Sequence, residues 1–359
     1  MRSYANNDIH QIHLEVTSKC NAACPMCPRN AFGGKVNPHI VLTELRLSDI
    51  QQIFGRSTEA LRNLKHLYFC GNYGDPIIAK ELLDILSYIR ALNPEIQLDI
   101  HTNGSARTVL WWKQLGSILS KPKDRVVFGI DGLEDTNHIY RRHTDFSKII
   151  ENATALIESG GNAHWEYLVF EHNEHQVEKA KKLAKQLGFK SFILKRTNRF
   201  TRQKNDIVNG IVLHEKFDVK DNDGNHVYSI KPSQKYTHDY SDKVLNEFGS
   251  FDKYFNITQI ECQMEKKHSL YINAEGLVLP CCWSATKLHT EQMLDIIQRH
   301  GGKEVFNAKL HSIDSIISGP VFQEIMDRIS NSEAEKLHVC TFHCGKINRT
   351  DQTYSTTPF

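Results

Sequence analysis

Hydrophobic and polar positions in the first 200 residues alternate between two periods. Short runs rich in β-branched and aromatic residues predict strands, and stretches with a 3.6-residue period between them predict helices. The predicted strands cover residues 12–17, 66–70, 96–102, 126–131, 164–170 and 191–195. This rhythm is typical of βα units that feed a parallel sheet or barrel. Six units are fewer than the eight of a closed barrel, so we expect an α/β fold built on a partial (β/α)6 barrel of the TIM type.

The pattern changes twice after this region. Residues 201–255 are polar, turn-rich and weakly periodic, which indicates a linker or an irregular insertion. Residues 256–359 begin with two short predicted strands around a turn at 274–276, and helical periodicity returns near 291–300 and 321–329. We therefore expect three parts: a barrel domain over residues 1–200, an insertion over 201–255, and a small α+β domain over 256–359.

Composition excludes several classes of protein. The 359 residues are 40% hydrophobic and 24% charged, values that are ordinary for a globular protein. The net charge of +2 is small and the sequence contains no recognised nucleic-acid-binding motif, so no nucleic-acid partner is expected. Neither a signal peptide nor a long apolar run is present in the sequence, so we expect a cytoplasmic protein without a membrane partner. Nine cysteines are unevenly spread, three within residues 20–27 and five within 262–344. Tight clusters favour metal or redox chemistry over a disulfide framework.

The first cluster is C-x3-C-x2-C, formed by Cys20, Cys24 and Cys27 directly after the first predicted strand. Three thiolates do not complete a tetrahedral metal site, but they can hold three irons of a [4Fe-4S] cluster and leave the fourth iron open. A structural zinc site with a fourth ligand elsewhere remains an alternative, as does coincidence.

With this motif at this place, the sequence resembles the radical S-adenosylmethionine (SAM) enzymes. The resemblance implies that SAM chelates the open iron and is split, by one electron, into methionine and a 5′-deoxyadenosyl radical. That radical removes a hydrogen from the substrate. A reductant such as flavodoxin or ferredoxin is implied as a partner.

Further segments match the same family at the ends of later strands. The string Gly74-Asp75-Pro76 resembles the end of the family's Gly-Gly-Glu-Pro motif, with Asp for Glu, and Thr-Asn-Gly follows the third strand. An arginine after the fourth strand is expected to meet the SAM carboxylate, because guanidinium suits that planar group. The SAM-binding residues that the resemblance implies are Met26, Gly74, Asp75, Pro76, Asn103 and Arg142.

The second cysteine cluster resembles the auxiliary-cluster region of the SPASM/twitch subgroup. A full SPASM domain has seven cysteines and two extra clusters, whereas this region has five cysteines, so one auxiliary [4Fe-4S] cluster is expected. Its implied ligands are Cys262, Cys281, Cys340 and Cys344. The adjacent Cys282 is an alternative to Cys281, and zinc is an alternative to the cluster, since it accepts four cysteines equally well.

These expectations suggest a substrate oxidation. A fully ligated auxiliary cluster suits electron transfer, so we expect a net two-electron oxidation of a small molecule, as in twitch-bearing radical SAM dehydrogenases. The alternatives are a peptide-modifying radical SAM maturase and, from another class, a non-catalytic zinc-binding protein. Lys195, Arg196 and Arg199 follow the sixth strand and either meet an anionic substrate group or are ordinary solvated side chains.

Overall fold

The structure is a computed structural model, and it describes residues 9–197, 199–203, 211–213, 215–237, 240–330, 336–347 and 354–359. Each of the three predicted parts therefore includes some positions outside the described residues. Every cysteine and every predicted SAM-binding residue lies within them.

A nine-stranded sheet is the centre of the fold, with the strand order β12-β11-β1-β2-β3-β4-β5-β6-β13. Strands β1 to β6 are parallel and follow one another in the sheet in chain order. This confirms the α/β class and the partial barrel. The strands of this sheet are β1 (Gln11–Leu14), β2 (His66–Phe69), β3 (Gln97–Thr102), β4 (Arg125–Gly129), β5 (Ala163–Val169), β6 (Ser191–Arg196), β11 (Ser269–Ile272), β12 (Val278–Leu279) and β13 (Tyr354–Pro358).

Helices cover the outer face of the sheet and complete the βα units. The helices are α1 (Leu47–Gly55), α2 (Thr58–Asn63), α3 (Leu82–Leu92), α4 (Val109–Ile118), α5 (Asn137–Tyr140), α6 (Phe146–Glu158), α7 (Val177–Gln186), α8 (Tyr240–Phe248), α9 (Phe251–Ile257), α10 (Gln263–Lys266), α11 (Cys282–Ala285), α12 (Glu291–Arg299), α13 (Ile313–Ile317), α14 (Pro320–Ser330) and α15 (His338–Cys344). Three further segments form short 3-10 helices: Pro76–Ile78, Glu174–Gln176 and Lys303–Phe306.

Large aromatic side chains fill the space between the sheet and these helices. Trp112 on α4 contacts Phe128 on β4 with ring centroids 5.2 Å apart, and Trp165 on β5 lies 5.3 Å from Phe189. Both indoles are fully buried, and each donates its N–H to a backbone carbonyl at 2.9 Å. Strand residues alternate between faces, so the other residues of the same strands point to the concave side.

The C-terminal part joins the same sheet at both edges. Strand β11 runs parallel to β1, with Gln11 opposite Ser269, and β12 extends this edge by antiparallel pairing. Strand β13 pairs antiparallel with β6 at the opposite edge. The sequence predicted the β11–β12 hairpin but not its place beside β1. The local hydrophobic pattern identifies a strand but not its neighbour in the sheet, because an open sheet edge can pair with many different strands.

The segment predicted as a linker or irregular insertion contains regular structure in its described residues. Strands β7 (Thr201–Gln203) and β8 (Ile211–Leu213) form one antiparallel pair. Strands β9 (Phe217–Lys220) and β10 (His226–Ile230) form another, and α8 and α9 follow. The β9–β10 hairpin packs Phe217, Val219 and Ile230 into an apolar cluster with the cysteine loop.

Within the described residues, no helix has both the length and the apolar character needed to cross a membrane.

Candidate functional site

The first three cysteines lie on one loop that leaves β1 at its carboxyl end. The amide of Cys27 donates to the carbonyl of Cys24 at 3.1 Å, and the amide of Ala22 donates to Sγ of Cys20 at 3.3 Å. All three thiols line one cavity, and each is among the electrostatic neighbours of another. The loop therefore brings the C-x3-C-x2-C residues together at the carboxyl ends of the parallel strands, where α/β folds bind ligands.

Two arginines lie near Cys24 and Cys27. Burial raises the pKa of the Cys24 thiol to about 11, and the nearby guanidinium groups of Arg141 and Arg199 act in the opposite direction. Arg141 is paired with Asp131, with Nε 2.6 Å from the carboxylate, and Arg199 donates to the hydroxyl of Tyr140 at 2.8 Å. The two guanidinium groups also act to lower the pKa of Cys27, which burial raises, so they favour the thiolate form of Cys24 and Cys27 that a metal cluster requires.

The loop after β2 packs tightly against the cysteine loop. An added Cβ at Gly74 would lie 1.7 Å from the carbonyl oxygen of Thr17, so this position accepts no side chain. The amide of Asp75 donates to the carbonyl of Lys19 at 2.9 Å. The two segments whose motifs predicted a site, residues 20–27 and 74–76, thus belong to loops in direct backbone contact.

Asp75 connects this loop to the end of β3. Its Oδ2 accepts from the backbone N–H and from Nδ2 of Asn103, both at 2.7 Å, and its Oδ1 accepts from the amide of Ile77 at 3.2 Å. Burial raises the pKa of the Asp75 carboxyl, and the hydrogen bond from the Asn103 amide opposes that shift. Asn103 also donates to Sγ of Cys20 at 3.8 Å. Gly74, Asp75 and Asn103 all line the cavity that contains the cysteines.

This cavity has a volume of about 400 Å³, within the range of small-molecule sites. Its inner wall is the concave face of the sheet. Four polar side chains on this wall are Tyr68, His101, Glu166 and Lys195. Nζ of Lys195 lies 3.3 Å from Oε1 of Glu166, and the ring of His101 meets that of Tyr68 edge-on with centroids 4.8 Å apart.

The charges on this wall are set by burial and by the lysine. Burial lowers the pKa of His101 to about 4, so the ring is neutral at pH 7. Burial acts to raise the pKa of Glu166, but the attraction of Lys195 and other cations outweighs it and holds that pKa below the ordinary value. The wall therefore presents a carboxylate, an ammonium and a neutral imidazole to the cavity. Tyr68, His101 and Glu166 were not predicted from the sequence, although the two-residue period of their strands places them on one face.

Three predicted SAM-binding residues do not line this cavity in the structure. Arg142 donates to the carbonyls of Gly33 at 2.8 Å and Lys220 at 2.9 Å, and so joins the cysteine loop to the β9–β10 hairpin. The neighbouring Arg141 lines the cavity, as do Arg196 and Arg199. Met26 packs in the apolar cluster beside Cys24, and its carbonyl accepts from Arg199 at 3.1 Å. Pro76 begins the 3-10 helix that Asp75 caps.

The second cysteine cluster forms in the C-terminal part of the chain. Cys340 has the sulfurs of Cys281, Cys344 and Cys262 as its electrostatic neighbours, and burial raises its pKa well above the ordinary value. The amide of Glu261 donates to the carbonyl of Cys344 at 2.7 Å, which joins the two chain segments. The four predicted auxiliary ligands are thus brought together. Cys282 has Cys281 as its first electrostatic neighbour, followed by Cys70 and Glu15 of the barrel domain.

An aromatic pair next to these cysteines in sequence lines the cavity. Trp283 and His343 stack with ring centroids 3.8 Å apart and an interplanar angle of 11°, and both line the cavity. Trp283 follows two cysteines and His343 precedes Cys344 in sequence. The C-terminal part therefore completes the wall of the cavity.

The donor chemistry fits iron–sulfur clusters at both places. The first set offers three thiols beside two guanidinium groups and a cavity, and the second offers four thiols that are mutual neighbours. In the described residues no group of three His, Cys, Asp or Glu side chains has the spacing to hold a single metal ion. Thiolates are the ligands of [4Fe-4S] clusters, and a three-thiolate set leaves one iron open.

Comparison with known proteins agrees with this geometry. The sequence model of the radical SAM superfamily matches residues 14–184, and that of the SPASM iron–sulfur cluster-binding domain matches residues 262–345. The FeMo cofactor biosynthesis protein NifB of Methanocaldococcus jannaschii is 27% identical over 133 residues, which are 35% of this chain and 43% of NifB. The chain thus matches less than half the length of this curated relative.

Two solved structures share the fold. Native anSMEcpe with bound AdoMet is 15% identical, with a TM-score of 0.54, over 96% of this chain and 92% of that one. Streptococcus suis SuiB bound to its precursor peptide SuiA is also 15% identical, with a TM-score of 0.54, over 88% of this chain and 66% of that one. The radical SAM domain implies a [4Fe-4S] cluster and SAM as cofactors, and the SPASM domain implies further iron–sulfur binding. The chain belongs to the radical SAM superfamily and carries a C-terminal SPASM domain.

Proposed function

We propose that this protein cleaves SAM reductively and oxidises a small molecule held in the cavity between the two cysteine clusters. The observation that carries the proposal is the single cavity shared by Cys20, Cys24 and Cys27, the loop around Gly74, and the polar wall of the sheet. Cofactor site and substrate site are thereby adjacent, as hydrogen abstraction requires.

In this proposal, Cys20, Cys24 and Cys27 hold three irons of the catalytic cluster. When bound, the cluster and SAM supply the 5′-deoxyadenosyl radical that removes hydrogen from the substrate. The backbone at Gly74 and Asp75 receives the SAM amino group, and Arg141 is positioned for the SAM carboxylate in the place first expected for Arg142. Asn103 fixes Asp75 and the cysteine loop in their relative positions.

The polar wall would bind the substrate and move its proton. Oε1 of Glu166 faces the cavity as a carboxylate beside Nζ of Lys195, so it is available to accept a proton from a substrate hydroxyl. The four cysteines Cys262, Cys281, Cys340 and Cys344 would hold an auxiliary [4Fe-4S] cluster, whose chemistry is to accept an electron from the substrate. Trp283 and His343 would exclude water between that cluster and the substrate.

Anaerobic reconstitution tests the proposal. Two clusters predict about eight irons per chain and a brown chromophore, and reduced protein should convert SAM to 5′-deoxyadenosine. Cys24→Ala should abolish this conversion, whereas Cys282→Ala serves as a matched cysteine control that retains it. Colourless protein with stoichiometric zinc, or a Cys24→Ala variant that still turns over, would overturn the proposal.

A peptide substrate is the second candidate. The fold also accommodates a peptide in SuiB bound to SuiA, which leaves both substrate classes to be separated by product analysis. Mass spectrometry of candidate reactions should show the loss of two hydrogens from a small molecule. A mass change on a peptide instead would favour the peptide-modifying alternative.

A further inference from the structure

One buried carboxylate outside the cysteine clusters connects the two halves of the protein. Glu15 follows β1 and is 1% exposed. Its Oε1 accepts from the backbone N–H of Tyr73 at 2.7 Å and from that of Gly74 at 3.1 Å, and its Oε2 accepts from the hydroxyl of Tyr271. Glu15 therefore binds the loop after β2 on one side and a residue of β11 on the other.

Burial of the Glu15 carboxyl group costs free energy of folding. Removing a carboxylate from water is unfavourable, and the cost is offset only where several groups donate to it. In the described residues no Lys or Arg forms a salt bridge with Glu15. Burial raises the pKa of its carboxyl, and hydrogen bonds from the Tyr271 phenol and from the backbone of residues 72–74 act in the opposite direction. Buried polar networks of this kind fix one geometry, because no alternative arrangement satisfies all of their members.

The geometry that Glu15 fixes is that of Gly74. The loop backbone at this residue is pressed against the carbonyl of Thr17, and the Asp75 amide is bonded to Lys19 in the cysteine loop. Both Gly74 and Asp75 line the cavity. A shift of the Tyr73–Gly74 amides would therefore move the backbone that faces the cofactor.

Tyr271 makes this support depend on the C-terminal half. It lies on β11, opposite His13 of β1, and it is 1% exposed. Its ring also contacts that of His13 at a centroid distance of 4.8 Å, so the phenol has little freedom to turn away from the carboxylate.

We propose that Glu15 is a positioning residue for SAM, and that Tyr271 makes the SPASM half a contributor to SAM affinity apart from its cluster. The inference rests on the proposed function, because it takes the loop at Gly74 as the SAM-binding segment. Tyr271 would orient the carboxylate, and the carboxylate would orient the loop amides.

The test compares two tyrosine variants in reconstituted protein whose clusters are kept oxidised, so that SAM binds without being cleaved. Tyr271→Phe removes only the hydroxyl, and we expect it to raise the dissociation constant of SAM about tenfold, by calorimetry, with iron content unchanged. Tyr254→Phe is the matched control. That tyrosine is also fully buried in the C-terminal half, and its hydroxyl donates to the carbonyl of Ile347 at 3.2 Å. Tyr254→Phe should lower the unfolding temperature about as much as Tyr271→Phe does, but it should leave the dissociation constant of SAM unchanged.

Steady-state kinetics give a second readout that a purely structural role would not move. Tyr271→Phe should raise KM for SAM while kcat at saturating SAM stays within about twofold. Glu15→Gln keeps an acceptor for the loop amides, so its SAM affinity should fall less than threefold or so. If Tyr271→Phe does not fold, Glu15→Leu replaces it in the test and should raise the dissociation constant of SAM about tenfold.

The outcomes separate the two proposals. Wild-type protein that contains both clusters but does not bind SAM would contradict the proposed function. Wild-type protein that binds SAM, together with a Tyr271→Phe variant of equal affinity, would overturn only the role of Glu15 and Tyr271.

Discussion

Replacing Gly74 by alanine places one methyl group against the backbone of the cysteine loop. The added Cβ would lie 1.7 Å from the oxygen and 2.6 Å from the carbon of the Thr17 carbonyl, and 3.0 Å from the carbonyl oxygen of Lys19. All three atoms belong to backbone, so no side chain can rotate away. The two loops must separate by about 1.5 Å to restore an ordinary contact.

The cost of this separation falls on the cofactor site. A misplacement of about 1 Å at a reacting centre can cost about 100-fold in rate, and overpacking typically costs about 1–3 kcal/mol in stability. We expect Gly74→Ala to weaken SAM binding at least 30-fold, which corresponds to about 2 kcal/mol. The unfolding temperature should fall in the same variant.

Gly55→Ala is the matched control. Gly55 is the last residue of α1, and an added Cβ there meets no atom within 4 Å. Alanine is the better helix former, so stability should stay equal or rise by about 0.4–1 kcal/mol, and SAM affinity should not change. Calorimetric titration with SAM and thermal unfolding measure both effects. A Gly74→Ala variant that binds SAM and unfolds like wild type would refute the assignment of a close approach at this loop.

Three other predictions concern the remaining parts of the molecule. Cys281→Ala should lower the iron content by about four per chain, and Cys282→Ala should leave it unchanged; the reverse result would exchange the two assignments. Glu166→Gln should retain SAM cleavage without substrate but lose product formation, as measured by chromatography of both, and full turnover would exclude Glu166 as the proton acceptor. Glu324 accepts from Arg299 at 2.7 Å, and although burial acts to raise the pKa of its carboxyl, hydrogen bonds from Arg299, His300 and Arg328 lower it to about 2. Because this folded-state pKa lies below the ordinary 4.5, Glu324→Gln should lower the free energy of unfolding in urea by about 1–2 kcal/mol at pH 7. The difference between the variant and the wild type should shrink as the pH falls from 4.5 towards 2, and a difference independent of pH would contradict this origin.

Local sequence pattern was sufficient for the barrel. Strands β3 (Gln97–Thr102) and β5 (Ala163–Val169) agree with the predicted strands over residues 96–102 and 164–170 to within one residue at each end, because burial imposes a clear pattern. The pairing of β11 with β1 and of β13 with β6 was not predictable in this way. Both depend on contacts between residues far apart in sequence, and the pattern of a short strand does not specify its neighbour.

The candidate site was predictable to the extent that it lies in motifs. The motifs correctly indicated Cys20, Cys24 and Cys27 as cavity-lining residues, and also Gly74 and Asp75 of the Gly-Asp-Pro string, although not Pro76. The sequence could not indicate which of Arg141 and Arg142 lines the cavity. Adjacent residues at the end of a helical turn point in different directions, and Asp131, buried behind Arg141, decides which guanidinium faces the cavity. Sequence spacing carries no information on that partner.

The place of β11 beside β1 has a consequence for biogenesis. Strand β1 is synthesised early, but one of its two edges pairs with residues 269–272, which are synthesised only after most of the chain. Until then the nascent barrel exposes an unsatisfied strand edge next to the cysteine loop, a template for aggregation. Long-range pairing of this kind is also slow. Insertion of iron and sulfide into the first loop should therefore be most efficient once β11 has docked beside β1.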